Sequence, residues 1–195
     1  MTAFSSKTEF EHSTFKKESC SGLDLKHKLF SHVLFEQCDF SHSDCTSSRF
    51  LECKLIGCNL SLTKLTGCRL QDVEFEQCKL VGVNFSKCDK TFLKVTFKKC
   101  LIDTSNFSDL DLKNTLFRDC TIRDTHFTET NLTAADFAGA DLLRSSFHNT
   151  NLSKANFVSA INYSINPLTN KLTKAKFSRP DVLALLDYLD IIIEP

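Results

Sequence analysis

Between residues 10 and 157 a large apolar residue returns at every fifth position. The series opens Phe10, Phe15, Cys20, Leu25, Phe30, Phe35, Phe40, Cys45, Phe50, Leu55, Leu60, Leu65, Leu70, Phe75, Leu80 and Phe85. Lys90 breaks it. The register resumes two residues late at Phe92 and runs to Phe157. A period of five matches neither the 3.6 of an α-helix nor the 2 of a strand. It marks a repeat architecture built from one small unit. Two residues before each centre lies a small position, filled for example by Val33, Cys38, Cys53, Thr63, Cys78, Ser105 and Ala135. The residue just before the centre is often Asp or Asn, as at Asp39, Asn59, Asn84, Asp111 and Asn131. All five glycines fall two residues after a centre, where a backbone that turns tightly favours them.

This order of small residue, Asp or Asn, Leu or Phe, polar, Gly or polar resembles the pentapeptide-repeat family over about residues 8 to 160. The resemblance implies an all-β fold: a right-handed quadrilateral β-helix, each unit forming one side and four units one coil. It also implies that the centre and the small position point inward.

The sequence tests that arrangement. With four units per coil, residues twenty apart stack. One side then reads Phe15, Phe35, Leu55, Phe75, Phe97, Phe117, Phe137, Phe157, provided that the break is a two-residue insertion. Counting an extra unit instead would place Phe92, Leu112, Leu132 and Leu152 in the ladder and destroy it. We therefore expect a bulge within residues 86–91, in a repeat domain spanning 1–160. About seven and a half coils at ~4.8 Å per strand give a rod roughly 36 Å long, whose two ends need caps.

Composition alters this picture little. The chain has 195 residues, 24 basic and 24 acidic, so its net charge of zero argues against direct nucleic-acid binding. No apolar run reaches the ~18 residues of a membrane span, and the start lacks a signal-peptide pattern, so a cytoplasmic protein is expected. Ten cysteines would suggest metal or redox chemistry. Most of them occupy the small position, and Cys38, Cys58, Cys78, Cys100 and Cys120 stack as a buried ladder. Cys there acts as a small apolar filler. His12 and His32 share a position on successive coils but lack a third ligand. No nucleophile–base pair, phosphate loop or metal motif appears. The expectation is no enzyme, no metal and no cofactor.

After Phe157 the repeat fails at Asn162, and residues 161–195 read as a loop, a helix and a short strand. Ser178 fits an N-cap, with Pro180 in the first turn. Val182, Leu185, Leu186 and Leu189 form a helical stripe that Leu183 widens, and Ile191, Ile192 and Ile193 follow as an apolar run. One rod end offers limited surface for so many apolar groups, so this segment is expected to cap the rod and also to join a second copy; a cap over the last coil alone is the alternative.

The resemblance implies a function. Family members that protect DNA gyrase from quinolones or peptide microcins are tail-to-tail dimeric rods, shaped to meet the enzyme's DNA-binding saddle. The expected role is therefore protection of gyrase, a type II topoisomerase, from a poison. The expected contact surface is acidic. Residues 101–143 hold eight acids (Asp103, Asp109, Asp111, Asp119, Asp124, Glu129, Asp136 and Asp141) against three bases. The alternative is a non-catalytic interaction scaffold unrelated to topoisomerases.

Overall fold

A computed structural model describes Phe4, residues 7–189, Ile191 and Ile192. The chain winds as a right-handed, four-sided parallel β-helix of about eight coils. Its strands are two to four residues long and pair in parallel with the coil above and below: Phe10 with Phe30, Phe30 with Phe50, Phe15 with Phe35. The centres form the core. Phe30, Phe35, Phe97, Phe107, Phe117, Phe127 and Phe137 are fully buried.

The alternation of Phe positions along the chain becomes two ladders that meet inside the square. Phe117 and Phe137 stack within one wall, centroids 4.8 Å apart and planes 2° from parallel. Phe107, on another wall, meets Phe117 edge-to-face at 5.7 Å and 88°. Stacked and T-shaped pairs each add ~1 kcal/mol beyond area burial. Leu55 is the one aliphatic rung in the wall that runs from Phe15 to Phe177. Around it lies a small apolar cavity of about 10 Å³, also lined by Phe40, Phe50, Leu60, Leu70 and Phe75.

The small position has a second job. Its side chain donates to the carbonyl of the centre one coil earlier: Ser48 Oγ to Leu25 at 2.5 Å, Thr63 Oγ1 to Phe40 at 2.8 Å, Cys78 Sγ to Leu55 at 3.3 Å, Thr150 Oγ1 to Phe127 at 2.6 Å. A buried carbonyl left without a donor is costly. Cys, Ser and Thr therefore recur there although Ala would fit the space. The preceding Asp or Asn closes the turn by accepting the N–H two residues on, as Asp39 does from Ser41 and Asn131 from Thr133. The residue two after a centre is left-handed along the regular coils, Lys87 in the 3-10 turn being an exception. Glu129 has φ 56°, Arg144 56° and Gly139 69°.

At the break the register changes by two. Phe75 pairs with Phe97 and Asn84 with Asn106. The slip lies between Asp89, whose N–H still reaches Cys68, and Lys94, whose N–H reaches Leu70. This overlaps the 86–91 window read from sequence and extends past it to Leu93, while Phe85–Lys87 forms a 3-10 turn just before it. Phe92 does not serve as a centre. It stands half exposed, with the Arg69 guanidinium 4.6 Å from its ring centroid, while Leu93 packs against the core.

The ends also differ from the sequence reading. Phe4 caps the first coil, its ring 4.8 Å from Phe15 and 5.4 Å from Phe10. At the other end the coil passes residue 160 and continues to Phe177, which stacks on Phe157 at 5.1 Å. Here Phe147 pairs with Ile165, and the Asn170 amide donates to Phe147 and accepts from the Thr150 N–H, replacing backbone pairing. Asp181–Tyr188 is then a 3-10 helix in place of the α-helix expected. Ser178 does not cap it; its hydroxyl accepts from the Ser159 N–H. At three residues per turn the stripe of Val182, Leu185, Leu186 and Leu189 spreads apart. Leu185 and Ala184 still pack on the rod end, and the Tyr188 hydroxyl bonds to Ser164. Ile191 and Ile192 form no strand, and Ile193 lies outside the described residues.

Candidate interaction surfaces

Three features of this geometry bear on function: the acidic stretch, the buried thiol ladder and the apolar tail. Among the described residues no three His, Cys, Asp or Glu side chains converge as a metal site, and no helix is long and apolar enough to cross a membrane.

The eight acids do not gather on one face. Asp111, Asp136 and Asp141 each precede a centre, on three different walls. Asp109, Asp119, Asp124 and Glu129 sit at three different corners, and Asp103 follows the centre Ile102. Four of them are already ion-paired. Arg118 Nε lies 2.5 Å from Asp136, Arg123 Nη2 2.7 Å from Asp141, Arg144 Nε 2.6 Å from Asp124 and Lys90 Nζ 2.5 Å from Asp109. Hydrogen bonds from Arg144 hold the Asp124 carboxyl below its ordinary range. Burial pushes Asp141 up, but bonds from Asn162 and Arg123 together outweigh it. Asp111 and Asp136 also serve as turn acceptors, from the Lys113 and Ala138 N–H groups. Asp103, Asp111, Asp119 and Glu129 remain without an ion pair among the described residues, and of these only Asp111 closes a turn. Sequence summation along residues 101–143 missed both the dispersal and the pairing, because neighbours in sequence point to different walls.

The ten cysteines are all free and buried. Burial pushes the Cys45, Cys20 and Cys88 thiols up to about 12 and Cys53 to about 11. Along the ladder, bonds from neighbouring thiols favour a thiolate at Cys58 and Cys100 at the expense of Cys38, Cys78 and Cys120. No cation takes part in that balance, and an apolar column disfavours any thiolate, so the ladder stays protonated. His12 and His32 do meet outside, rings 4.7 Å apart, and His32 Nε2 lies 3.3 Å from Glu52.

The tail keeps its apolar groups in solvent. Leu183 is 51% exposed, Ile191 54% and Ile192 91%, with Tyr188 and Leu189 also exposed and Val182 and Leu186 half-buried. Leu168, on the adjoining loop, adds to the same end. Isolated exposed apolar groups are ordinary, but a cluster at a rod end is not.

Comparison with known proteins fits this architecture. The chain resembles the solved structure of a trypsin-treated QnrB1, a plasmid-mediated fluoroquinolone resistance protein, with a TM-score of 0.74 at 17% identity over 95% of this chain and 90% of that one. HetL, a pentapeptide-repeat protein involved in heterocyst differentiation regulation in the cyanobacterium Nostoc, gives 0.64 at 21% identity over 87% of each chain. At such identities the likeness concerns the fold. No curated protein matches the chain. The pattern of the pentapeptide repeat region matches residues 28–107 and 91–157, and the chain belongs to the pentapeptide-repeat family.

Proposed function

We propose that this protein is a non-catalytic rod that binds DNA gyrase and protects it from a poison, a quinolone or a peptide toxin. The observation that carries the reading is the tail. A rod already capped by Leu185 and Ala184 still presents Leu183, Ile191 and Ile192 to solvent at the same end. Joining two copies there yields a longer, two-fold rod of the kind that the gyrase-protecting relatives form. The fold shared with a fluoroquinolone resistance protein along nearly the whole length supports the same reading. The free thiols suit a reducing compartment such as the cytoplasm, where gyrase works.

The contact is placed at the acids that have neither a cationic partner nor a turn to close among the described residues: Asp103, Asp119 and Glu129. Duplex DNA carries one charge per ~1.7 Å, so the rod imitates it through shape and a few acids, not by matching its charge density. The test is gyrase supercoiling with a poison, in the presence and absence of the purified rod. Restored supercoiling, lost in a D119K/E129K variant that still melts as the parent does, supports the proposal. Unchanged poisoning with the intact rod overturns it.

A second reading, an interaction scaffold outside topoisomerase biology, draws on the comparable fit to HetL. The same assay separates the two, since a scaffold leaves poisoned gyrase poisoned.

A further inference from the structure

Beside its apolar tail the rod end carries an open pocket of a different chemistry. The pocket has a volume of about 340 Å³, and Asn162, Tyr163, Pro180, Asp181, Leu183 and Asp187 line it. Tyr163 fills a small position of the last coil, its ring 5.8 Å from Phe157 and 5.6 Å from Phe177. The residue is only 3% exposed, yet its hydroxyl has no hydrogen-bond partner among the described residues. Burial, and after it the Asp181 carboxylate, push that hydroxyl up to about 12, so it stays protonated. A buried hydroxyl without a partner is costly, and most buried polar groups have one.

The other polar groups around the pocket are acceptors. Asn162 Nδ2 donates to Asp141 at 2.7 Å, and its Oδ1 accepts from no group among the described residues. Asp181 and Asp187 form no ion pair there either. Two carboxylates, an amide oxygen and an idle hydroxyl suit a cation with several N–H groups, a guanidinium above all. Pro180 and Leu183 would flank its apolar stem. The same end of the rod exposes Lys154, Lys171, Lys174, Lys176 and Arg179, none of them ion-paired among the described residues. Of the five only Arg179 is a guanidinium, and it directly precedes Pro180 on the pocket's rim.

We propose that this pocket receives the Arg179 side chain of a second copy, whose guanidinium donates to Asp181, Asp187 and Asn162 Oδ1 and gives the Tyr163 hydroxyl the partner it lacks. The inference rests on the two-copy rod proposed above, and not on the identity of the rod's target. Two copies joined tail to tail repeat every contact about the two-fold axis, so each Arg179 enters the other copy's pocket. The apolar tail groups Leu183, Ile191 and Ile192 are non-directional and fix no orientation. The paired charges supply it, since like charges meet in any other register.

Sedimentation equilibrium and thermal melting of the full chain test the pocket. R179E and D181K/D187K should each melt as the parent does, and each should weaken self-association by more than about tenfold. Mixed in equal amounts, the two variants should form a heterodimer, because both contacts then join opposite charges. Tyr163→Phe removes only the hydroxyl and should weaken the dimer about fivefold. A hydroxyl with no role in the contact would leave the dimer unchanged in that variant. Self-association unaltered by R179E or by Tyr163→Phe, or two folded variants that stay monomeric when mixed, overturns the proposal and leaves the two-copy rod standing. A parent chain that is itself a monomer overturns the two-copy rod, and this contact with it.

Discussion

Cys78 donates its thiol hydrogen to the carbonyl of Leu55, 3.3 Å away on the coil before. The same link recurs with hydroxyls at Ser48 and Thr63, so the donor matters, not the sulfur. Cys78→Ala should therefore destabilise the rod by about 1 kcal/mol, and Cys78→Ser should recover most of that loss. Urea unfolding of the three proteins checks it. Equal losses for Ala and Ser would show that Cys78 serves only to fill space.

Burial gives the rod a pH limit on the alkaline side. The Cys45 thiol rises from its ordinary value of 9.0 to about 12. The unfolded chain therefore releases this proton first as pH rises. The stabilisation is complete below pH 9, declines between 9 and 12 and is lost above 12. Cys20 and Cys88 act in the same direction. Unfolding midpoints should fall steeply above pH 9, and less steeply in Cys45→Ser. Thiol reagents at pH 8 should label none of the ten cysteines until the rod is denatured.

Leu55 interrupts the Phe ladder between Phe35 and Phe75 and borders the small core cavity. Leu55→Phe would complete the stack and fill that space. We expect a gain of about 1 kcal/mol, read as a higher melting temperature. A lower one would mean that the surrounding coils cannot admit the ring.

The corner beside Asp119 has little room. A Cβ on Gly139 would lie 2.5 Å from Asp119 Oδ1, and the Gly139 backbone is left-handed, φ 69°. Gly139→Ala should cost about 1 kcal/mol from the backbone alone and displace the Asp119 carboxylate. Gly22→Ala, with the same φ but open space around it, isolates the backbone cost. If Asp119 contacts a partner, Gly139→Ala also weakens that contact while Gly22→Ala does not.

How far the sequence reaches can be judged residue by residue. The ladder from Phe15 to Phe157 and the two-residue slip are legible because each wall repeats one chemistry every twenty residues. Phe92 is misread because Phe92 and Leu93 compete for one inward place, and a period alone cannot choose between them. The coil to Phe177 is hidden because Tyr163 fills a small position and the Asn170 side chain stands in for backbone. The acids are miscounted as one patch because a five-residue step turns each onto a new wall.

Self-association carries the proposed function and can fail alone. Leu183 and Ile192 are exposed on the rod's tail, so replacing them removes nothing from the core. L183E/I192E should leave the melting temperature within a few degrees of the parent. It should also convert a dimer into a 22.1 kDa monomer at low micromolar concentration, measured by sedimentation equilibrium. Two charges buried per subunit at a two-fold contact meet their own copies, so the loss of affinity should exceed tenfold. A parent chain that sediments as a monomer under the same conditions ends the dimer reading. Gyrase protection would then have to come from a single rod of about eight coils, roughly 38 Å long, with the acidic corners Asp119 and Glu129 as its contact.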